Sequence, residues 1–287
     1  MLRYIYQYTL KGVPRGHLIL KLQFENYITI KERKRELEMK KLSIFNIKGG
    51  VAKTTSTANL GAVLAQEGKK VLLIDLDPQS NLTKLFKSYS TEDKSVSDVL
   101  LDKDLDIKEV IKSTDFENID IIPSNLTLAF AERKILLDVN RSQQNRLMKA
   151  LSKINEYDYC LIDCPPALNM ITINALCTSD DVIVPIKIDK FALDGLEYLL
   201  ESIDQIKEEF NPNLNFKGCF VTMDNATTVN REIKEILKKL LGDKMFKTTI
   251  KNNIKVVEST FNECPVVFNH KKARASINYK DLCKEVF

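Results

Sequence analysis

The chain has 287 residues, 44% hydrophobic and 29% charged, with 9 Gly, 8 Pro, no Trp and a formal net charge of +4. This balance excludes a disordered chain, which carries fewer apolar residues and a larger charge excess, and the scarcity of Gly and Pro excludes collagen-like and low-complexity sequence. What remains is a globular protein, long enough to bury roughly three quarters of its unfolded surface, with one main α/β domain as the simplest division.

Residues 1–38 stand apart. LILKLQFENYITI alternates as a strand or hairpin does, and KERKRELEMKK reads as a charged helix or linker. Residues 1–41 hold 10 Lys and Arg against 4 Asp and Glu, a net of +6. This basic extension carries no recognisable chemistry. Translation beginning at Met39 is one expectation, because MKKLSIFNIKGG runs straight into the first core strand. No apolar run reaches the roughly 18 residues that span a bilayer, and the first residues do not read as a secretory leader, so a cytoplasmic, non-membrane protein is expected.

From residue 42 onward, β-rich runs alternate with helical periodicity. Strands are predicted at LSIFNI from Leu42, VLLIDL from Val71, IDII from Ile119, YCLID from Tyr159, DVIVPI from Asp181, KGCFVTM from Lys217 and KMFKTTI from Lys244, with a short eighth at PVVF from Pro265. Helices are predicted from Thr54 to a glycine stop at Gly68, from Phe191 to Phe210, over residues 229–241, and from about Ser276. The alternation predicts an α/β fold with a mostly parallel, doubly wound sheet of about 7–8 strands and helices on both faces. The six cysteines form no CxxC, which favours buried free thiols over a disulfide or metal framework.

The stretch FNIKGGVAKTTSTANL, residues 45–60, lies between a predicted strand and helix. Two glycines let successive amides face one concavity, and the helix start adds free N–H groups and a positive dipole end. Lys53 supplies a charge for β- and γ-phosphates, and Thr54 a hydroxyl for Mg²⁺. Against GxxxxGK[ST] the loop fails twice, at Ile47 and Ala52, and has instead KGGxxKT with Lys48 ahead of the glycines. Dinucleotide binding, with Asp75 on a ribose, is the rival reading, but GxGxxG is missing.

Two other strands end in acids: VLLIDLDPQSN in Asp75 and Asp77, YCLIDCPP in Asp163. At the carboxyl ends of a doubly wound sheet such acids hold Mg²⁺ or orient water, although capping a turn beside Pro78 and Pro165 is the plainer alternative.

In these motifs the chain resembles the deviant Walker A P-loop ATPases, and within them the ParA/Soj family of partition ATPases, over about residues 40–287. PPALNMITINAL, TMDNAT, GDKMFKTTI and YKDLCKEV fall in the family's order. The resemblance implies ATP held by Lys48, Gly49, Gly50, Val51, Ala52, Lys53, Thr54 and Thr55. It implies Mg²⁺ near Thr54 and Asp163, with Asp75 behind them, and water activation near Asp77. Lys48 would reach across an ATP-sandwiched homodimer to the partner's phosphates. Ala52 stands where the family usually has glycine and is expected to take helix-like angles. The resemblance also implies non-specific DNA binding by basic residues, matched by Lys255 and Arg274, with Lys251 in place of an arginine that is Asn252 here. Residues 231–287, with 13 basic against 7 acidic side chains, permit such a patch. A ParB-like centromere-binding protein would stimulate hydrolysis, on a plasmid or on a chromosome in the nucleoid. The alternative is a MinD-like or other cargo-positioning ATPase not acting on DNA, although the tail INYKDLCKEVF suits core contacts better than a membrane helix.

Overall fold

Apolar runs without alternation fit strands buried on both faces, and that is where they lie. The computed structural model describes residues 38–189 and 193–287, so the strand and charged helix expected in residues 1–37 fall outside the described residues. Within the compact unit Met39–Phe287, the strands are β1 (Lys40–Ile44), β2 (Val71–Asp75), β3 (Lys112–Ser113), β4 (Ile119–Ile122), β5 (Tyr159–Asp163), β6 (Asp181–Lys187) and β7 (Asn215–Thr222). They form one sheet in the order β3-β4-β2-β5-β1-β6-β7. All pairings are parallel except β3 with β4. Every residue of β2 is buried, as parallel strands between two helical layers require.

One layer holds α1 (Lys53–Gln66), α2 (Asn81–Leu85), α10 (Val266–Asn269) and α11 (Arg274–Val286), whose apolar residues pack with Leu42, Ile44, Leu73 and Leu161. The other holds α3 (Val96–Leu101), α4 (Thr127–Leu137), α5 (Arg146–Leu151), α6 (Met170–Thr178) and α7 (Asp194–Glu209), packed with Leu72, Ile74 and Ile162. Two further helices are α8 (Thr228–Leu241) and α9 (Ile254–Phe261). Gly61 brings α1 against the sheet: a Cβ there would sit 2.9 Å from Leu73 Cδ2.

The connection after β1 runs toward β2, while that after β5 runs toward β6, on the other side of β1. The carboxyl ends of β1 and β5 therefore flank the crevice where such folds take ligands. Ile44, Asp163 and Asp75 are in register across β1, β5 and β2, so the two acids arrive beside the loop that leaves β1.

Two predicted strands are not strands. KMFKTTI begins in a 3-10 turn, Gly242–Lys244, and then meets β7 through one isolated bridge, Met245 to Cys219, and the bonds Phe246 N to Cys219 O and Ile250 N to Val221 O. It runs parallel beside β7, but has one residue more between its two bridges, Met245 to Cys219 and Lys251 to Asp224, than the chain it faces, so no continuous ladder forms; it passes so close to Gly218 that a Cβ there would lie 2.4 Å from Lys244 O. PVVF is the short helix α10, because Pro265 (φ −54°) has no N–H for a ladder and presets the entry to a helix. The edge strand β3 was not anticipated. All six cysteines are free; five are buried, and Cys264 is half-buried.

Candidate nucleotide site

The loop from β1 to α1 is fastened to the distant strands β6 and β7. Asn46 Nδ2 donates to Pro185 O at 2.8 Å, and its Oδ1 accepts from Lys48 N at 2.9 Å. Thr222 Oγ1 donates to Val51 O at 3.1 Å. A Cβ on Gly49 or Gly50 would meet no protein atom within 4 Å, so the concavity is open there. Gly50 has φ +67°. Ala52 has φ 66°, ψ 32°, a left-handed conformation that corrects the expectation of helix-like angles. The turn needs that angle to aim the first amides of α1 into the loop, and alanine takes it at about 1 kcal/mol. Ala52→Gly is therefore expected to stabilise the protein by about 1 kcal/mol, read as a higher denaturant midpoint at unchanged m-value.

Gly49 through Thr55 form one wall of a cavity of about 540 Å³. Asp77, Asn81, Lys84 and Pro166 also line it, and Met223, Val256, Ser259, Thr260 and the segment at Glu263–Val266 close the far side. Lys53 is buried within its own loop, donating to Asn46 O at 3.0 Å and Lys48 O at 2.9 Å. Burial lowers its pKa, opposed by the charges of Asp163 and Asp77. Lys48 does not line this cavity; its ammonium meets Asp189 Oδ1, just after β6, at 2.9 Å.

The acids divide by partner. Asp75 is fully buried and both oxygens are engaged: Oδ1 accepts from Asp77 N at 3.0 Å, Oδ2 from Thr83 N at 2.9 Å and Thr83 Oγ1 at 2.7 Å. It clamps the turn that presents Asp77, whose own Oδ1 accepts from Gln79 N. Asp163 is equally buried, yet neither oxygen makes a hydrogen bond of ordinary geometry. Desolvation first, then the neighbouring Asp75 charge, push its pKa well above the usual carboxylate range, offset only in part by the Thr54 hydroxyl and Lys53. A buried carboxyl group with no hydrogen bond of ordinary geometry, beside a threonine hydroxyl and at the edge of a phosphate-sized cradle, is the donor chemistry that fits Mg²⁺.

Desolvation likewise pushes Asp75 up to about 6, against the hydrogen bonds from Thr83. Acids whose pKa is raised on folding hold protons that the unfolded chain releases near about pH 4, so their contribution to stability falls as pH rises through that window. The ligand-free protein is expected to melt at a higher temperature near about pH 5 than near about pH 7. Asp224 acts in the opposite sense only below about pH 4. Its burial would raise the pKa, but hydrogen bonds from Lys251, Lys234 and Thr249 bring it down to about 2.

Comparison with known proteins agrees with this geometry. A family model described as an AAA domain, AAA_31, matches residues 39–216. The sporulation initiation inhibitor protein Soj of Bacillus subtilis is 40% identical over 248 residues, covering 85% of this chain and 97% of its own. The chromosome partitioning protein ParA of Caulobacter vibrioides is 35% identical over 248 residues, 85% of this chain and 92% of its own. The chain belongs to the Soj/ParA family of P-loop ATPases. Among solved structures, cobyrinic acid a,c-diamide synthase of Mycobacterium smegmatis with a bound ATP analog and magnesium is 30% identical. It superposes with a TM-score of 0.76 over 86% of this chain and 93% of its own.

For this Soj/ParA chain the site residues named from sequence fall into three groups. Gly49, Gly50, Val51, Ala52, Lys53, Thr54, Thr55 and Asp77 surround one cavity, with Asp163 buried beside it. Lys48 lies outside it. The basic C-terminal residues are elsewhere: Lys251 Nζ bonds Asp224, which also binds Lys234 at 2.9 Å. Lys255 pairs with Glu258 at 2.7 Å, and Arg274 is exposed at the first turn of α11. Lys251 N donates to Asn278 Oδ1, joining that loop to α11. Sequence reading missed Asn46, Thr222 and the far wall of the cavity. Asn46, a buried amide directly before the loop, was the available signal.

Proposed function

We propose that this chain is a Mg²⁺-dependent partition ATPase that closes as an ATP-sandwiched homodimer, binds DNA without sequence preference in that state, and lets go on hydrolysis. A ParB-like centromere-binding protein stimulates that hydrolysis, and the protein works in the cytoplasm on the nucleoid. The observation that carries the nucleotide step is Asp163, a buried carboxyl group with no hydrogen bond of ordinary geometry, beside the loop of Lys53 and Thr54.

Thr54 and Asp163 would hold Mg²⁺, which when bound neutralises charge on the β- and γ-phosphate oxygens. The chain's own groups do the rest. Lys53 leaves the carbonyls of Asn46 and Lys48 for phosphate oxygens, and the amides from Gly49 to Thr55 cradle them. Asp77, held by Asp75 through its backbone, orients the attacking water. Lys48 exchanges Asp189 for the phosphates of a second copy, which ties nucleotide state to pairing. The C-terminal basic residues supply phosphate contacts, Arg274 and Lys255 more readily than Lys251, whose charge Asp224 already engages.

The test is a DNA titration with ATP, ADP and no nucleotide at two salt concentrations. Binding is expected only with ATP, and weaker in high salt. Lys48→Ala is expected to keep much of the ATP affinity and lose hydrolysis, and Asp77→Ala to remain on DNA. Wild-type turnover in the Lys48 variant would contradict the assignment, and DNA binding indifferent to nucleotide would contradict the switch.

A further inference from the structure

A second cavity, of about 360 Å³, lies between the end of α3, the loop that follows it, and α5. It shares no lining residue with the nucleotide cavity, and its helices belong to the layer opposite α1. Its volume falls among those of small-molecule clefts, roughly 300–1,000 Å³.

The lining has two characters. Val99 and Ile107, both buried, form an apolar floor with Leu105 and Ala150. Lys103, Arg141, Lys149 and Lys153 stand around it, and Asp102 is the one acid among the lining residues. Arg146 also reaches the cavity, but its charge is spent on Asp138 at 2.8 Å. Among the described residues, none of the four surrounding cations is in an ion pair. Arg141 instead donates to Leu101 O, and Lys153 to Lys103 O and Leu105 O. Other surface lysines behave differently: Lys87, Lys94, Lys108 and Lys112 each have a carboxylate partner. The cations gather here although residues 42–230 hold 20 basic against 28 acidic side chains.

We propose that this cleft binds a small organic anion. Its phosphate, sulfate or carboxylate group meets Lys103, Arg141, Lys149 and Lys153, and its apolar or aromatic body rests on Val99 and Ile107. A recess of this size between helix ends suits a small molecule and not a macromolecular surface.

The experiment uses the full chain and anilinonaphthalene sulfonate, an aromatic anion whose emission rises on leaving water, with phenyl phosphate as competitor. Saturable binding is expected, undisturbed by saturating ATP and displaced by phenyl phosphate. The exposed pair Lys103→Glu and Lys149→Glu is expected to weaken it by about tenfold or more while leaving ATP turnover unchanged. Ala150→Leu, which fills the floor without altering charge, is expected to weaken it as well; thermal melts verify that both variants fold. Absence of saturable binding at millimolar probe, no displacement by phenyl phosphate, or affinity unchanged in both variants overturns the proposal.

Discussion

Replacing Lys53 with alanine is expected to abolish ATP binding, not merely to slow its turnover. In the ligand-free chain the ammonium already holds the loop, bonding Asn46 O and Lys48 O, and burial has weakened its hold on its proton. An anion arriving beside it favours the charged form. Truncating one partner of such a desolvated charge pair costs roughly 3 kcal/mol or more, above a hundredfold in Kd. Calorimetric titration measures it, and near-native affinity would remove Lys53 from the phosphate cradle.

The second large effect has two opposite signs. Asp163→Asn is expected to raise the melting temperature of the ligand-free protein near about pH 8 and to lower Mg²⁺-dependent hydrolysis by roughly 10- to 100-fold or more. The charge it removes is buried, repelled by Asp75 and without a hydrogen bond of ordinary geometry, so folding gains what catalysis loses. Paired melts and ATPase assays separate this from a capping role. A capping aspartate would lose stability on the same substitution and keep its activity.

Six of the seven strands were legible from residue 42 onward because each is a short apolar run covered on both sides. Their predicted starts differ from the structure by two residues at most, at β1 and β7. The edge strand β3 was not legible, since two residues carry no period. KMFKTTI has strand composition and lies beside β7, but the unequal residue count between its bridges breaks the ladder, and composition does not encode register.

The site divides in the same way. The phosphate loop reads from one stretch because cradle, lysine and threonine are contiguous. The groups that hold it in place are not contiguous: Pro185 and Thr222 come from strands that only the sheet brings near. Asp75 was read as standing behind the metal; its engagement by Asp77 and Thr83 gives it a turn to hold as well. Lys251 looked like a surface cation because its buried partner, Asp224, is hidden within TMDNAT.

The thiols offer a way to watch the site without touching its machinery. Cys160, Cys164 and Cys283 are sealed in the interior, where loss of hydration pushes them up to about 12. They stay inert to alkylating reagents while the chain is folded. Cys264 is different: it lines the nucleotide cavity and is only half-covered. A maleimide label should therefore enter first there, at a rate set by whether the cavity is filled, which makes one native side chain a built-in occupancy gauge.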